Sequence, residues 1–343
     1  MTENNKKDWL SAIAFVIVAA LLLVLAGAIM RPAHRDYGST WDQYLAEPED
    51  SIDVLYLGSS FAYCDWNPSV IYSTSGLTGY VMAGSEQTPS LSYWYLKEAL
   101  KTQTPQAVVM EGTSFFFNTY QSFTQVNIVY MPWGVNRTQA IFDAAEPELR
   151  TGLFFDLYFY HDRWKELSAD DITKLLDSGK TDMNKGYTKR MGTDAENILG
   201  GPYTRQLSDD KTAYDTHMEG FRRIAELCAE KDIDLIVTIN PTYIPCAPEV
   251  YEKLESDIKA IDPTVKFCLW ADGFDEMGID PPADMFDVGH LNFTGAYKFS
   301  QWMGSFLTSE GYVPRSQTEE NTAAWQASAQ YWREEYESEI ANK

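Results

Sequence analysis

Hydrophobic residues along this chain fall into two patterns. Residues 10–30 contain no charge and are apolar on every side; at 1.5 Å per residue they reach about 30 Å, enough for a bilayer core. Beyond residue 50 the apolar residues come in short runs that stop on glycine or polar turns, at 52–57, 79–82, 107–110, 235–239 and 265–270. Such runs predict buried strands, and the stretches 91–101, 221–229 and 251–261 between them carry helical spacing. This alternation predicts an α/β fold, a three-layer sandwich on a mainly parallel sheet covered on both faces. A closing helix is expected over 293–307, with Asn292 as its N-cap.

Between about 116 and 210 the alternation stops and aromatic residues dominate, as in Phe115-Phe116-Phe117, Met131-Pro132-Trp133 and the stretch from 154 to 164. An insertion of this length reads either as a substrate lid at the carboxyl edge of the sheet or as a helical subdomain packing its aromatics. The polar end of the chain places Trp325, Tyr331, Trp332 and Tyr336 at a spacing that fits one face of a peripheral helix. The expected organisation is a cytoplasmic stretch 1–9, a transmembrane anchor 10–30, a linker 31–49, an α/β domain 50–315 and a C-terminal helix 316–343. Ala26-Gly27-Ala28 has the small-x-small form of a signal-peptidase site, but the apolar run exceeds most signal cores, so an uncleaved single-pass anchor is expected. Lys6 and Lys7 before the run and Arg31 and Arg35 after it leave the positive-inside rule nearly silent on orientation.

Charge narrows the partners. With 27 basic and 50 acidic residues the net charge is -23, a surface that repels nucleic-acid phosphates, and no basic stripe offsets it. An anionic polymer would need a locally neutral or basic groove. The chain has no internal repeat, no phosphate-cradling glycine loop and no metal-ligand spacing, so no cofactor or metal is implied. Cys64, Cys228, Cys246 and Cys268 form no Cys-x-x-Cys pair. Cys228 and Cys246 flank one predicted strand and Cys268 lies in the next, which leaves a disulfide among the three open. Cys64 reads as a small buried residue or as a rival nucleophile.

The first strand ends on Gly58-Ser59-Ser60. A serine there is either a turn cap or a hydroxyl presented at the carboxyl edge of a sheet, where open α/β folds bind ligands. A nucleophile needs a base, and four histidines are available. His34 follows the membrane segment, His217 sits in a helical stretch where a solvated side chain is the default, and His161 lies in the aromatic insertion. His290 differs. In Asp287-Val288-Gly289-His290 the carboxylate three residues earlier can hold the Nδ1 proton and leave Nε2 to deprotonate a serine.

This early Gly-x-Ser with a late Asp-x-x-His before the last helix resembles the SGNH (GDSL-like) hydrolase superfamily. The resemblance is nearest to its membrane-anchored envelope branch, which includes the teichoic-acid D-alanylation protein DltD and the SGNH proteins of alginate acetylation. It implies Ser60 as nucleophile with Asp287 and His290, Ser59 where many relatives carry aspartate, and Gly84 as an oxyanion-hole glycine. His161 and Arg163 resemble a His-x-Arg-Trp element of that branch, with Arg163 suited to a phosphate or carboxylate. Where relatives carry Gly-x-Asn, this chain has Glu111-Gly112-Thr113-Ser114, so Glu111 marks the departing block. Losing one oxyanion donor can cost about two to three orders of magnitude in turnover. The implied activity is that of an extracytoplasmic serine esterase or O-acyltransferase acting on acyl esters of cell-envelope glycopolymers. The alternative is a catalytically weak binding or assembly partner of a membrane-bound O-acyltransferase.

Overall fold

The computed structural model describes residues 3–32, 38, 41–173, 182–193, 205–206 and 211–342; His34 and parts of the insertion lie outside them. The chain forms two compact units, Met1–Arg35 with Glu146–Ser178, and Asp36–Ala145 with Gly179–Lys343.

The larger unit is an α/β sandwich. Its strands are β1 (Val54–Gly58), β2 (Gly79–Ala83), β3 (Ala107–Glu111), β4 (Asp234–Ile239) and β5 (Lys266–Leu269). All pair in parallel, in the order β2-β1-β3-β4-β5. Every residue of the first three strands is buried, which is why they read as continuous apolar runs rather than as alternating ones. Pro89–Ala99 packs with Lys211–Glu230, and by the right-handed crossover rule these helices lie on the opposite face of the sheet from Pro68–Ser75. Phe293–Ser309 and Glu319–Ala341 pack on Pro68–Ser75. The chain leaves β1 toward β2 on one side and returns to β3 on the other, so the topological switch lies between β1 and β3, where such sheets open a crevice beyond their carboxyl ends.

Several sequence expectations change at the level of side chains. His217 is not solvated: it is fully buried on the inner face of its helix and shares a hydrogen bond with the Phe117 carbonyl at 2.9 Å. Its burial holds the imidazole pKa below the usual value. All four cysteines are free thiols, and burial pushes Cys64 up to about 12, so it is no rival nucleophile. On the C-terminal helix Trp325 and Trp332 face inward while Tyr331 points out. Asn292 caps its helix as expected, accepting from the N–H groups of Thr294 and Gly295.

Part of the expected linker belongs to the core. Trp41 and Tyr44 are fully buried, and the Tyr44 hydroxyl donates to the Ala99 carbonyl at 3.0 Å. The edge strand β2 is covered by residues 184–187, where the Val81 N–H donates to the Lys185 carbonyl at 2.9 Å. Lys185 itself turns inward to meet Glu47 at 2.6 Å, both side chains almost wholly out of solvent.

In the smaller unit the Glu3–Met30 helix includes a stretch, Asp8–Met30, that is long and apolar enough to cross a membrane. Short helical segments, Asp156–Tyr160, His161–Lys165 and Asp170–Thr173, pack against its C-terminal end, and Arg150–Phe154 packs on Asp156–Tyr160. The 116–210 stretch is therefore not one body. Its first part packs in the larger unit through the buried residues Ile128, Val129 and Met131, and residues 146–178 belong with the apolar helix.

Candidate active site

The site starts from a backbone constraint at the end of β1. Gly58 has φ +145°, and a Cβ there would lie 2.9 Å from the Cβ of Glu111 and 3.0 Å from that of Ala62. Only glycine lets β1 turn this tightly between β3 and the Ser60–Asp65 helix. Ser60 opens that helix, so its N–H has no carbonyl four residues back to bind. Its side chain stays partly accessible.

His290 reaches Ser60 from 230 residues away. Met285 and Leu291 pair as an isolated antiparallel bridge, and the Phe286 N–H donates to the His290 carbonyl at 2.8 Å, which closes a tight loop. Within it Asp287 Oδ1 accepts from the N–H groups of Gly289 and His290 at 2.8 and 2.9 Å. Both carboxylate oxygens lie 2.9 Å from His290 Nδ1. His290 Nε2 is 2.8 Å from Ser60 Oγ. The His290 ring stacks on Phe61 with centroids 4.5 Å apart, which fixes its plane. Burial alone would raise the Asp287 pKa, but the hydrogen bonds and charge of His290 and the loop N–H groups outweigh it and hold the carboxyl below its usual range. Asp287 is thus an anion that orients the imidazole with Nδ1 as donor.

A second carboxyl ties the two halves together. Asp65, fully buried at the other end of the Ser60 helix, accepts from the Leu291 N–H and from Asn240 Nδ2, each at 3.1 Å. Asn240 also donates to the Phe61 carbonyl at 3.1 Å. From the β4 side the Thr242 hydroxyl and the Tyr243 N–H both donate to the Val288 carbonyl, at 3.1 and 2.8 Å. Burial holds the Asp65 pKa well above its usual value. Sequence carried no signal for this bridge, since its partners lie 175 and 226 residues apart from Asp65.

The remaining expected site residues are divided between the two units. Gly84 lies one residue past β2, and the Gly58–Ala83 pairing puts it level with Ser59. Ser59 and Glu111 are fully buried, so neither side chain lines an open cleft. Ser59 Oγ makes no capping bond, contrary to the turn-cap reading. Ser114, two residues past the glycine of the departing block, is buried with an unpartnered hydroxyl. His161 is exposed, and its Nδ1 meets the Tyr158 carbonyl. Arg163 is engaged within the smaller unit, donating to the Met30 carbonyl and, at 3.0 Å, to Asp171. These two contacts engage one hydrogen-bond donor on each of its terminal nitrogens.

Arg205 is a site neighbour that sequence reading missed. It is buried, donates to Thr113 Oγ1 at 3.1 Å and Tyr251 Oη at 3.2 Å, and lies 5.8 Å from the Phe61 ring centroid. Thr113 in turn binds Glu111 Oε1 through both its N–H and its hydroxyl. Burial nonetheless dominates and pushes Glu111 up to about 7, against the hydrogen bonds of Thr113 and the charge of Arg205.

Glu111 gives a stability prediction with a definite sign. The folded chain keeps a proton that the unfolded chain releases near 4.5, so this stabilisation is complete below 4.5 and is lost as pH rises through about 7. Glu111→Gln keeps the shape without the charge. Its stability relative to the parent should improve between pH 5 and pH 8 by up to about 3 kcal/mol. Paired melting curves across that range check it; a difference that does not change with pH refutes it.

No protein-family model matches the chain, and no curated protein matches it. Among solved structures it is similar to a GDSL-like lipase from Bacteroides thetaiotaomicron. Identity is 11%, the TM-score is 0.34, and the match covers 76% of this chain and 90% of that one. At that level of likeness the chemistry has to be read from Ser60, Asp287 and His290 themselves.

Proposed function

We propose that this chain is a membrane-anchored, extracytoplasmic serine esterase or O-acyltransferase that acts on acyl esters of a cell-envelope glycopolymer. The observation that supports it most is the relay Asp287–His290–Ser60, with hydrogen-bond distances of 2.9 and 2.8 Å. His290 Nε2 takes the Ser60 proton as Oγ attacks the ester carbonyl. The Ser60 N–H at its helix start and the backbone at Gly84 are the proposed donors to the oxyanion. Collapse breaks the ester C–O bond, and the leaving alcohol receives the proton from His290. The acyl-serine is then cleaved by water, giving hydrolysis, or by a sugar hydroxyl, giving transfer; His290 again takes and returns the proton. The Asp8–Met30 helix supports anchoring, with the remaining chain on the outer side as in a signal anchor.

The test is fluorophosphonate labelling of detergent-solubilised full-length protein followed by peptide mapping. One adduct is expected, on Ser60, absent in Ser60→Ala and in His290→Ala. Folded parent protein with no adduct overturns the covalent reading and favours a docking partner of a membrane-bound O-acyltransferase.

A further inference from the structure

We infer that residues 146–173 form an interfacial collar, an element that seats in the lipid headgroup layer around the outer end of the apolar helix. The inference rests on the anchoring part of the proposed function. Three observations converge on it, all within the smaller unit.

The first is the seat. The apolar helix is exposed along nearly its whole length, and Gly27 is the buried exception. A Cβ at Gly27 would lie 3.6 Å from the Leu157 nitrogen and 3.7 Å from the Asp156 Cβ, so the Asp156–Tyr160 helix crosses at the small residues Ala26, Gly27 and Ala28. These residues, which resemble a peptidase site in sequence, serve as a packing surface. The second is the clamp. Arg163 donates to the Met30 carbonyl at the helix C-terminus and is held by Asp171, a cation where free carbonyls and the helix dipole favour one.

The third is the composition of what faces outward. Phe155, Tyr158, Trp164 and Ile172 each expose more than half of their surface. His161, Asp162, Lys165 and Glu166 are exposed beside them. Large aromatics mixed with charges at the end of a span is the chemistry of the membrane–water interface, where amphipathic rings settle at headgroup depth. The helix carries two aromatics of its own, Trp9 and Phe15, both in its N-terminal half, and none near Met30. The collar supplies the aromatics that the outer end lacks. Its occupant is therefore the lipid surface that the helix itself crosses.

Site-directed spin labelling tests this on full-length protein in phosphatidylcholine vesicles. In a Cys246→Ser background, single cysteines at Phe155, Tyr158 and Trp164, with Glu334 as an exposed control, would be labelled and their relaxation measured with oxygen and with a water-soluble nickel complex. The collar predicts an oxygen-to-nickel accessibility ratio several-fold higher at the three positions than at 334. Protein that stays in the vesicles through alkaline carbonate but shows the same ratio at 155, 158 and 164 as at 334 overturns the collar and leaves the anchor standing. Labels that neither reagent reaches also overturn it. Release by carbonate overturns the anchor and the collar together.

Discussion

Ser60→Ala lowers kcat on an activated ester such as p-nitrophenyl acetate by about 10⁴- to 10⁶-fold, because nothing nearby can replace the hydroxyl. The adjacent Ser59 hydroxyl and the Cys64 thiol are both fully buried, and burial pushes the thiol up to about 12. Asp287→Asn should cost about 10⁴-fold, since an amide at that position no longer fixes Nδ1 as the donor or supports the imidazolium that forms. The two losses do not add. Once Ser60 is gone, orienting His290 serves no step, so the double variant should match Ser60→Ala within a factor of about three. The comparison needs steady-state rates for the parent and the three variants. A Ser60→Ala protein within tenfold of the parent would remove the serine from the mechanism.

The largest expected stability effect lies away from the site, at Lys185. Its Nζ meets Glu47 Oε1 at 2.6 Å and stands 4.7 Å above the Trp325 ring, joining the segment after the apolar helix, the cover of β2 and the C-terminal helix. Glu47 Oε2 has no other partner, and burial already raises the Glu47 pKa against the pull of Lys185. Lys185→Met leaves that carboxyl buried without its cation, a change that costs about 3–5 kcal/mol at neutral pH. For a unit of this size Tm should fall by about 10 °C. The sign with pH follows from the raised pKa. A protonated Glu47 needs no cation, so the deficit shrinks as pH falls and grows as it rises. Adding Glu47→Gln to Lys185→Met should recover most of the loss. A single variant within about 1 kcal/mol of the parent at pH 8 would show the pair to be energetically idle.

What the sequence made legible follows from where its signals are local. The five strands were readable because a parallel strand covered on both faces is apolar without alternation. Asp287 and His290 were readable because a three-residue spacing with Gly289 between them allows contact within one loop. His217 was readable in principle and misjudged. Ala213, Tyr214, Phe221, Ile224 and Cys228 mark its side of the helix at spacings of three and four, and all are buried. Ser59 and Glu111 were assigned from motif position, but a side chain next to a nucleophile can point into the core, and both do. Asp65, Asn240 and Arg205 left no trace, because a buried polar contact between distant segments produces no periodicity.

The span between Ser60 and His290 also has a consequence in time. The serine is made 230 residues before its base. At about 5–20 residues per second of synthesis, roughly 10–50 s separate them. Through that interval Ser60 has no imidazole beside it and carries an ordinary alcohol. On the proposed mechanism its activation waits until the Met285–Leu291 loop docks on Thr242 and Tyr243, just past β4.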